Sequence, residues 1–289
     1  MGWTLPRATL CVLSVAVALP SAAPPADGLY PLAAKTAAAW AEYLKVTEFR
    51  IKNELEAPAR FLALDFASRP TDDRQAVLSG KIPVAEMITV WQNGTEVTVP
   101  DHWVHHWRGA VLLPGQRLDG VFERLKRDMP GKGQPGVLKA EIRQQDWPRL
   151  HTYIQVQRKG SFVVAYNFVY NTEHDVEFRR LSPTHGTSRT VATKIVELYH
   201  PGSPEEREMT WKEENRYLVR WNSYWRYQEI GAGVIAECES VTLSKDPGSL
   251  LSMAGAHKVA AGQAEDAMLQ ALLNLRTFFR TPPAMSPAR

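Results

Sequence analysis

The sequence predicts an α+β fold in which a curved antiparallel β-sheet grips one long C-terminal helix, with a helical extension at the N-terminus. Three observations lead to this fold class. Apolar residues recur at helical spacing over residues 31–55, and alternation typical of strands, broken by short turns, fills much of residues 82–245. A second helical pattern follows over residues 249–280. Because the turns between successive strands are short, we expect antiparallel pairing.

The composition indicates a folded protein and excludes several kinds of site. The 289 residues include 34 Lys and Arg against 31 Asp and Glu, so the formal net charge is +3. This near balance offers no excess of cations for a phosphate backbone, and we expect no nucleic-acid partner. The two cysteines, Cys11 and Cys238, are too few for a disulfide framework or a Cys-based zinc site. We expect no cofactor and no bound metal.

The first 23 residues have the pattern of a secretory signal peptide. Arg7 precedes an apolar run from Ala8 to Leu19, and small residues follow it in a cleavage zone. The run is shorter than the roughly 20 apolar residues that span a bilayer, so cleavage is favoured over anchoring. We therefore expect an exported protein, periplasmic or secreted. Its mature chain would have no transmembrane segment and one thiol, Cys238.

The mature chain divides into an N-terminal part, one main domain and a tail. Residues 24–81 are a linker and the helical extension, residues 82–280 the main domain, and residues 281–289 a disordered tail. In the extension, a helix is predicted from Pro31 to about Leu55, with an apolar stripe formed by Ala39, Trp40, Tyr43, Leu44, Val46, Phe49 and Ile51. The segment 61–80 mixes apolar and charged residues and is predicted to be a surface connector.

Strands dominate the main domain. Asn93-Gly94 predicts a hairpin turn between residues 85–91 and 96–99. A strand at 103–113, a short helix at 118–127 and a loop at 129–136 follow; the loop lacks the spacing of a nucleotide-binding P-loop. Six further strands are predicted at residues 137–145, 150–158, 161–178, 187–199, 216–229 and 233–245. The closing helix carries one apolar face, formed by Ala264, Met268, Leu272, Leu275 and Phe279.

The charges of the last two strands suggest their register. If Ile230 lies opposite Gly233, Arg226 faces Glu237 and Tyr224 faces Glu239 on one side of the sheet. The other side then sets bulky aromatic residues of one strand beside small residues of the next, and the strand at 161–178 has a similar aromatic face. This arrangement leaves room for a ligand under the closing helix. The alternative is an ordinary core that sheet and helix fill completely.

The order of these elements resembles the START-like (SRPBCC, helix-grip) superfamily. Three segments are similar to uncharacterised exported bacterial members of it, namely His105-His106-Trp107-Arg108-Gly109, Tyr217 to Arg226 and Glu237 to Ser244. The resemblance implies a hydrophobic cavity between sheet and closing helix. It leaves the ligand open, because lipid carriers, hormone receptors and polyketide cyclases share this fold.

The predicted site is this cavity. Trp221, Trp225, Tyr217 and Tyr166 would line it, and Cys238 with Ser240 would give it room. Arg108, beside Trp107, either holds an anionic headgroup at the cavity mouth or pairs with a carboxylate such as Glu239. The expected ligand-binding residues are Trp107, Arg108, Tyr166, Tyr217, Trp221, Trp225 and Cys238.

No catalytic residue is predicted. His102 and His106 share one strand face while His105 points to the other, so a hydrogen-bonded cluster is favoured over a metal site. Glu237 and Glu239 fit a structural ion pair better than an acid–base pair, and Cys238 is expected to be a small buried filler.

We therefore expect a carrier or sensor of a lipid or other hydrophobic small molecule. Two alternatives stay open. One is a polyketide cyclase or dehydratase-type enzyme on the same fold, and the other is a non-catalytic envelope interaction protein whose helix at 31–55 contacts the partner. The sequence specifies no protein partner.

Overall fold

The computed structural model describes residues 28–57, 59–158, 168–215, 217–246 and 256–281. Within these ranges the chain forms four α-helices, which are α1 (Ala34–Leu55), α2 (Pro70–Leu78), α3 (Leu118–Arg127) and α4 (Ala256–Arg280). A short 3-10 helix spans Ala63–Phe66. The strands are β1 (Val84–Glu86), β2 (His102–Pro114), β3 (Val137–Asp146), β4 (Arg149–Arg158), β5 (Phe168–Arg180), β6 (His185–Tyr199), β7 (Arg207–Glu208), β8 (Arg220–Ile230) and β9 (Gly233–Lys245).

The strands form one curved antiparallel sheet with the order β1-β2-β9-β8-β6-β5-β4-β3, and β7 pairs with β6. Most neighbours are also neighbours in sequence, as short turns require. The exceptions are β2, which pairs along its whole length with β9, and β8, which pairs with β6. The sheet and its C-terminal helix confirm the predicted α+β, helix-grip class.

One face of the sheet packs against α4 and α3, and we call it the helix face. Its apolar cluster includes Trp107 and Val111 of β2, Cys238 of β9, and Met268 and Leu272 of α4. A Cβ atom at Gly109 would lie 2.6 Å from Cδ1 of Leu272. The glycine therefore allows α4 to approach β2 closely.

The N-terminal segment covers the opposite side, the outer face. Trp40, Tyr43 and Ile51 of α1 pack on Val241 and Leu243 of β9. Further along, residues of the 3-10 helix and α2 pack on β2 and β9 in a second cluster formed by Phe61, Leu62, Leu64, Val77, Ala110, Leu112 and Ile235. The prediction of a surface connector at 61–80 was wrong. Its apolar residues are too irregularly spaced to show a periodic pattern, yet Leu62, Leu64 and Val77 are fully buried.

The predicted N-terminal helix is confirmed, but its buried stripe differs. The stripe includes Thr47 and Glu54, whereas Phe49 is 55% exposed. Hydrogen bonds satisfy the two polar side chains, since Thr47 bonds Thr89 and Glu54 bonds Arg226. Because Thr47 and Glu54 are polar, a pattern of apolar residues could not predict that these two positions are buried.

The predicted register of the last hairpin is confirmed, with Ile230 opposite Gly233, Arg226 opposite Glu237 and Tyr224 opposite Glu239. The turn at Asn93-Gly94 also forms, with Gly94 at a φ of 81°. Its flanks make a single bridge, Val90 to Glu96, instead of two strands.

Some predicted segments lie outside the described residues. These are the signal peptide at 1–23, most of the linker, the start of the strand at 161–178, the start of the closing helix and most of the tail. In the part of the chain that is described, no helix combines the length and the apolar character needed to cross a membrane.

Candidate functional site

Four of the seven predicted site residues lie on the helix face. Trp107 and Cys238 belong to the cluster that contacts α4, and Trp225 packs against that cluster. Trp221 shares the side of Trp225, because residues four apart in a strand point the same way. Burial raises the pKa of Cys238 well above its ordinary value, so this thiol is a small buried side chain, as expected.

The other three predicted residues are placed elsewhere. Arg108 lies on the outer face, where its guanidinium forms a 2.8 Å ion pair with Asp73 of α2. Arg108 therefore does not lie at the cavity mouth. It pairs with a carboxylate, but that carboxylate belongs to Asp73 and not to Glu239. Tyr217 precedes β8, is 41% exposed and packs on Phe168 at 4.7 Å between ring centroids. Tyr166 lies outside the described residues.

The two faces of the central strands β8 and β9 differ in exposure. Side chains on the outer face are buried, as shown by Tyr224, Arg226, Glu237, Glu239 and Val241. On the helix face four side chains, Trp221, Trp225, Ser240 and Thr242, are only half-buried, whereas Ser223, Tyr227 and Cys238 of the same face are buried. A filled core would bury central strands under a helix completely. The middle of the helix face is therefore the part of these two strands that is least completely covered.

The half-buried middle of the helix face lies toward the N-terminal half of α4. The C-terminal end of the helix is fixed at α3, where the guanidinium of Arg124 lies 4.2 Å from the ring centroid of Phe278. Since α3 follows the end of β2, the N-terminal half of α4 extends toward Trp107 and His105. That half carries small residues at Ala261, Gly262, Ala264 and Ala267, whereas the packed half carries Met268, Leu272 and Leu275.

Polar groups cross the helix face in two rows. In one row Trp107, Ser240, Ser223 and Thr190 are paired from β2 across to β6. Nε1 of Trp107 is buried and has no hydrogen-bond partner among the described residues. In the adjacent row His105 bonds the Ser244 hydroxyl at 2.8 Å. Nε1 of Trp221 reaches between the rows and donates to Ser223 at 3.0 Å.

Sequence reasoning missed a polar group further along the same face. The side chains of Tyr170, Thr172 and His174 on β5 lie on the helix face, and the residues between them point to the outer face. Arg158, the last residue of the neighbouring strand β4, shares the helix face. The ring of His174 lies edge-on to Trp221 at 4.9 Å between centroids. The alternation that placed Tyr170 and Val176 on the aromatic face could have placed Thr172 and His174 there as well.

The predicted ion-pair residues lie on the outer face, where they form a buried network with the N-terminal segment. Arg226 pairs with Glu54 of α1 at 2.5 Å, and Glu237 accepts backbone N–H bonds from Ala63 and Leu64. Burial raises the pKa of Glu237 to about 7, against the opposing charge of Arg226. The predicted ion pair of Glu237 with Arg226 is not formed at ion-pair distance, because Arg226 pairs with Glu54; Glu237 is instead a buried acceptor of backbone N–H groups.

Glu239 occupies a second position in this network. It accepts hydrogen bonds from Nε2 of His106 and from Arg50 of α1. Burial alone would raise the pKa of Glu239, but the hydrogen bond from His106 and the charge of Arg50 lower it to about 2. The carboxylate thus has a structural ionic role here too.

The histidines of β2 diverge, as expected. His106 faces α1, His105 faces the other way toward Ser244, and Nδ1 of His102 lies 3.2 Å from the carbonyl of Pro100. Within the described residues, no group of three or more His, Cys, Asp or Glu side chains converges as a metal site would require.

Two open clefts flank α3, with volumes of about 490 and 460 Å³. The first is lined by Phe122, Trp147 and Phe178, together with the ion-paired Asp119 and Arg180. Both clefts lie at the end of the sheet away from the polar rows and contain no predicted site residue. The helix face under α4 is therefore the better candidate, because it combines buried unpartnered polar groups with apolar walls.

Comparison with known proteins gives similarity of fold. No family model and no curated protein sequence matches the chain. A STAR-related lipid transfer protein fragment from Xanthomonas axonopodis is 14% identical, covering 64% of this chain and 96% of its own, with a TM-score of 0.42. The Zhui aromatase/cyclase of a Streptomyces species is 14% identical, covering 62% and 89%, with a TM-score of 0.35.

Human StAR-related lipid transfer protein 5 is 11% identical, covering 84% of this chain and 99% of its own, with a TM-score of 0.40. At such identities the likeness describes the fold alone and carries no information about a ligand. The START-like superfamily stays a prediction made from the sequence.

Proposed function

We propose that this protein binds a lipid or other hydrophobic small molecule between the helix face of its sheet and the N-terminal half of α4. The observation that carries the proposal is the exposure of Trp221, Trp225, Ser240 and Thr242 in the middle of the sheet. Directly behind them, the outward side chains of Tyr224, Arg226, Glu237 and Glu239 are buried. Accessible space at this position supports a site that a ligand fills.

The lining suits an apolar molecule that carries few polar groups. The indoles of Trp107, Trp221 and Trp225 supply apolar area, whose burial contributes about 25 cal/mol per Å². Ser223, Ser240 and the unpartnered Nε1–H of Trp107 supply a small number of hydrogen-bonding positions. Such a mixture gives affinity through apolar burial and orientation through the polar groups.

Ser240→Leu tests the proposal. Ser240 lies between Trp107 and Ser223 in the register, so a leucine there would fill the space without disturbing the outer face. We expect purified native protein to release an apolar species on solvent extraction, detected by mass spectrometry, and to bind the neutral fluorescent dye Nile red. The variant should lose both properties.

Ser68→Leu is the matched control, because Ser68 is exposed and distant from the helix face. It should retain dye binding, and circular dichroism should show both variants folded. Absence of an extracted species together with absence of dye binding by the folded wild type would refute the carrier function.

The two alternative functions lose the features that favoured them. The enzyme alternative depended on Arg108, His106 or a glutamate pointing into the cavity, but His106, Arg108, Glu237 and Glu239 all lie on the outer face. An interaction protein would need the apolar side of α1 to be available, but that side packs on β9. Neither alternative is favoured by a specific contact.

Export is part of the proposal and rests on residues 1–23 alone. Fusing residues 1–40 to a reporter enzyme that is active only outside the cytoplasm tests it in a bacterial host. We expect activity from this fusion and none when Ala16 is replaced by Arg, because a charge interrupts the apolar run. An inactive wild-type fusion would overturn the assignment.

A further inference from the structure

Arg158 of β4 lies on the helix face and has no acidic partner among the described residues. Arg50, Arg108 and Arg226 each pair with a carboxylate on the outer face. In contrast, no Asp or Glu of the described chain lies within ion-pair distance of the Arg158 guanidinium. Burial lowers the pKa of Arg158, so its charge is held at a cost that a bound anion would offset.

The Arg158 side chain extends across the helix face. Its guanidinium carbon lies 5.9 Å from the ring centroid of Trp221, although β5 and β6 separate β4 from β8. The arginine therefore reaches toward the middle of the sheet and contacts a wall of the proposed cavity. Burial and the charges of Glu197 and Glu214 raise the pKa of Tyr170, and the smaller effect of Arg158 lowers it.

Two nearly fully buried polar atoms lie close by without partners. They are the hydroxyl of Tyr170, in a residue 2% exposed, and Nδ1 of His174, in a residue 1% exposed. The hydroxyl of Thr172 donates to the carbonyl of Ile154 at 2.9 Å, so its oxygen accepts the Nε2–H of His174 at 2.9 Å. Burial lowers the pKa of His174 to about 4, and the ring is therefore neutral at pH 7.

One acidic residue lies on the same face but is already engaged. Glu197 pairs with Tyr170 in the register and accepts hydrogen bonds from both the backbone and the side-chain amide of Asn215. These hydrogen bonds come from neutral groups, so Glu197 keeps its charge, but it makes no ion pair with Arg158. A dianionic phosphate beside Arg158 would be repelled by Glu197 more strongly than a single carboxylate, and we therefore favour a carboxylate.

We propose that Arg158 and Tyr170 bind the carboxylate of an amphipathic ligand whose apolar part lies along Trp221 and Trp225. This rests on the proposed function and specifies the ligand class as a long-chain carboxylic acid. Arg158 donates to the carboxylate oxygens, and the Tyr170 O–H donates a further hydrogen bond. His174 forms a neutral wall beside them.

The test compares two probes of equal chain length, oleate and oleyl alcohol. Each is titrated, at concentrations below those at which it aggregates, into protein that carries Nile red, and the displacement of the dye is measured. Wild-type protein should bind oleate more tightly than the alcohol. Arg158→Gln should weaken oleate binding about tenfold to a hundredfold and leave the alcohol unchanged. Tyr170→Phe should weaken oleate binding by a smaller factor, again without effect on the alcohol.

Arg149→Gln is the matched control, because Arg149 is exposed at the other end of β4; it should behave as wild type with both probes. Equal binding of oleate and alcohol, unaffected by Arg158→Gln, would refute the carboxylate site while leaving the cavity. An equal loss of both probes in Arg158→Gln would also refute it, since the arginine would then support the pocket as a whole. Failure of folded wild type to bind any probe would instead contradict the proposed function.

Discussion

His106 donates a hydrogen bond from Nε2 to the carboxylate of Glu239 at 2.8 Å, from strand β2 to strand β9. At Nδ1 the same ring lies 2.9 Å from the hydroxyl of Tyr43 in α1. Arg50, also in α1, bonds the same carboxylate. The N-terminal helix is thus attached to the sheet by buried polar contacts in addition to apolar packing.

We expect Glu239→Gln to lower the free energy of unfolding by about 3 kcal/mol, because Arg50 and His106 lose the buried carboxylate that they share and Arg50 keeps only Glu54. Urea unfolding followed by circular dichroism measures this. Glu56→Gln is the control, since Glu56 is exposed and forms only a 3.9 Å contact with Lys52; it should change stability by less than about 0.5 kcal/mol. Equal stability of the two variants would contradict a structural role for the network.

The pairing of β8 with β9 was predictable, whereas the covering of their outer face was not. A tight turn at Gly231-Ala232 and one charge pair, Arg226 with Glu237, were enough to fix the register. The partner of Arg108 is Asp73, which lies in a segment without periodic pattern. Such contacts depend on how separate elements pack, and a single sequence does not show that packing.

We expect Gly109→Ala to destabilise the protein by about 1–3 kcal/mol, because its Cβ would meet Leu272 at 2.6 Å and Met268 at 3.2 Å. Gly120→Ala is the opposite case. Gly120 lies exposed in α3 with nothing within 4 Å of a Cβ, so alanine should stabilise by about 0.5–1 kcal/mol. Thermal unfolding of both variants checks the contrast, and a neutral Gly109→Ala would disprove the close approach of α4.

The candidate site was predictable in part. Alternation placed Trp221, Trp225 and Cys238 on the helix face, because the strand period is two. Tyr217 was misplaced because the chain enters β8 only at Arg220. Polar residues that face inward, such as His174, follow the same alternation as surface residues, and only the fold shows which side of β5 is covered.

Leu64→Ala tests whether the irregular segment at 61–80 belongs to the core. Leu64 is fully buried against the outer face, so removing its side chain should cost about 2–5 kcal/mol of unfolding free energy. Leu78→Ala, at a position 41% exposed, should cost less than about 1 kcal/mol. Denaturant titration compares them; similar small losses would mean that this segment is a surface connector after all.

Glu237 should make stability depend on pH between about 4.5 and 7. Its ordinary pKa is 4.5, and burial raises the pKa in the folded protein to about 7. In this window the folded state binds a proton that the unfolded state has lost, so the free energy of unfolding falls as the pH rises. We expect a fall of about 1–3 kcal/mol from this residue.

Glu237→Gln, which cannot ionise, isolates that contribution. Urea unfolding of wild type and variant at several pH values from 4 to 8 gives the difference between their stabilities, in which the other titrating groups cancel. The stability of the wild type relative to the variant should be greatest near pH 4.5 and should decline toward pH 7. A relative stability that rises over the same window would mean that Arg226 and the N–H groups of Ala63 and Leu64 outweigh burial and keep the carboxylate ionised.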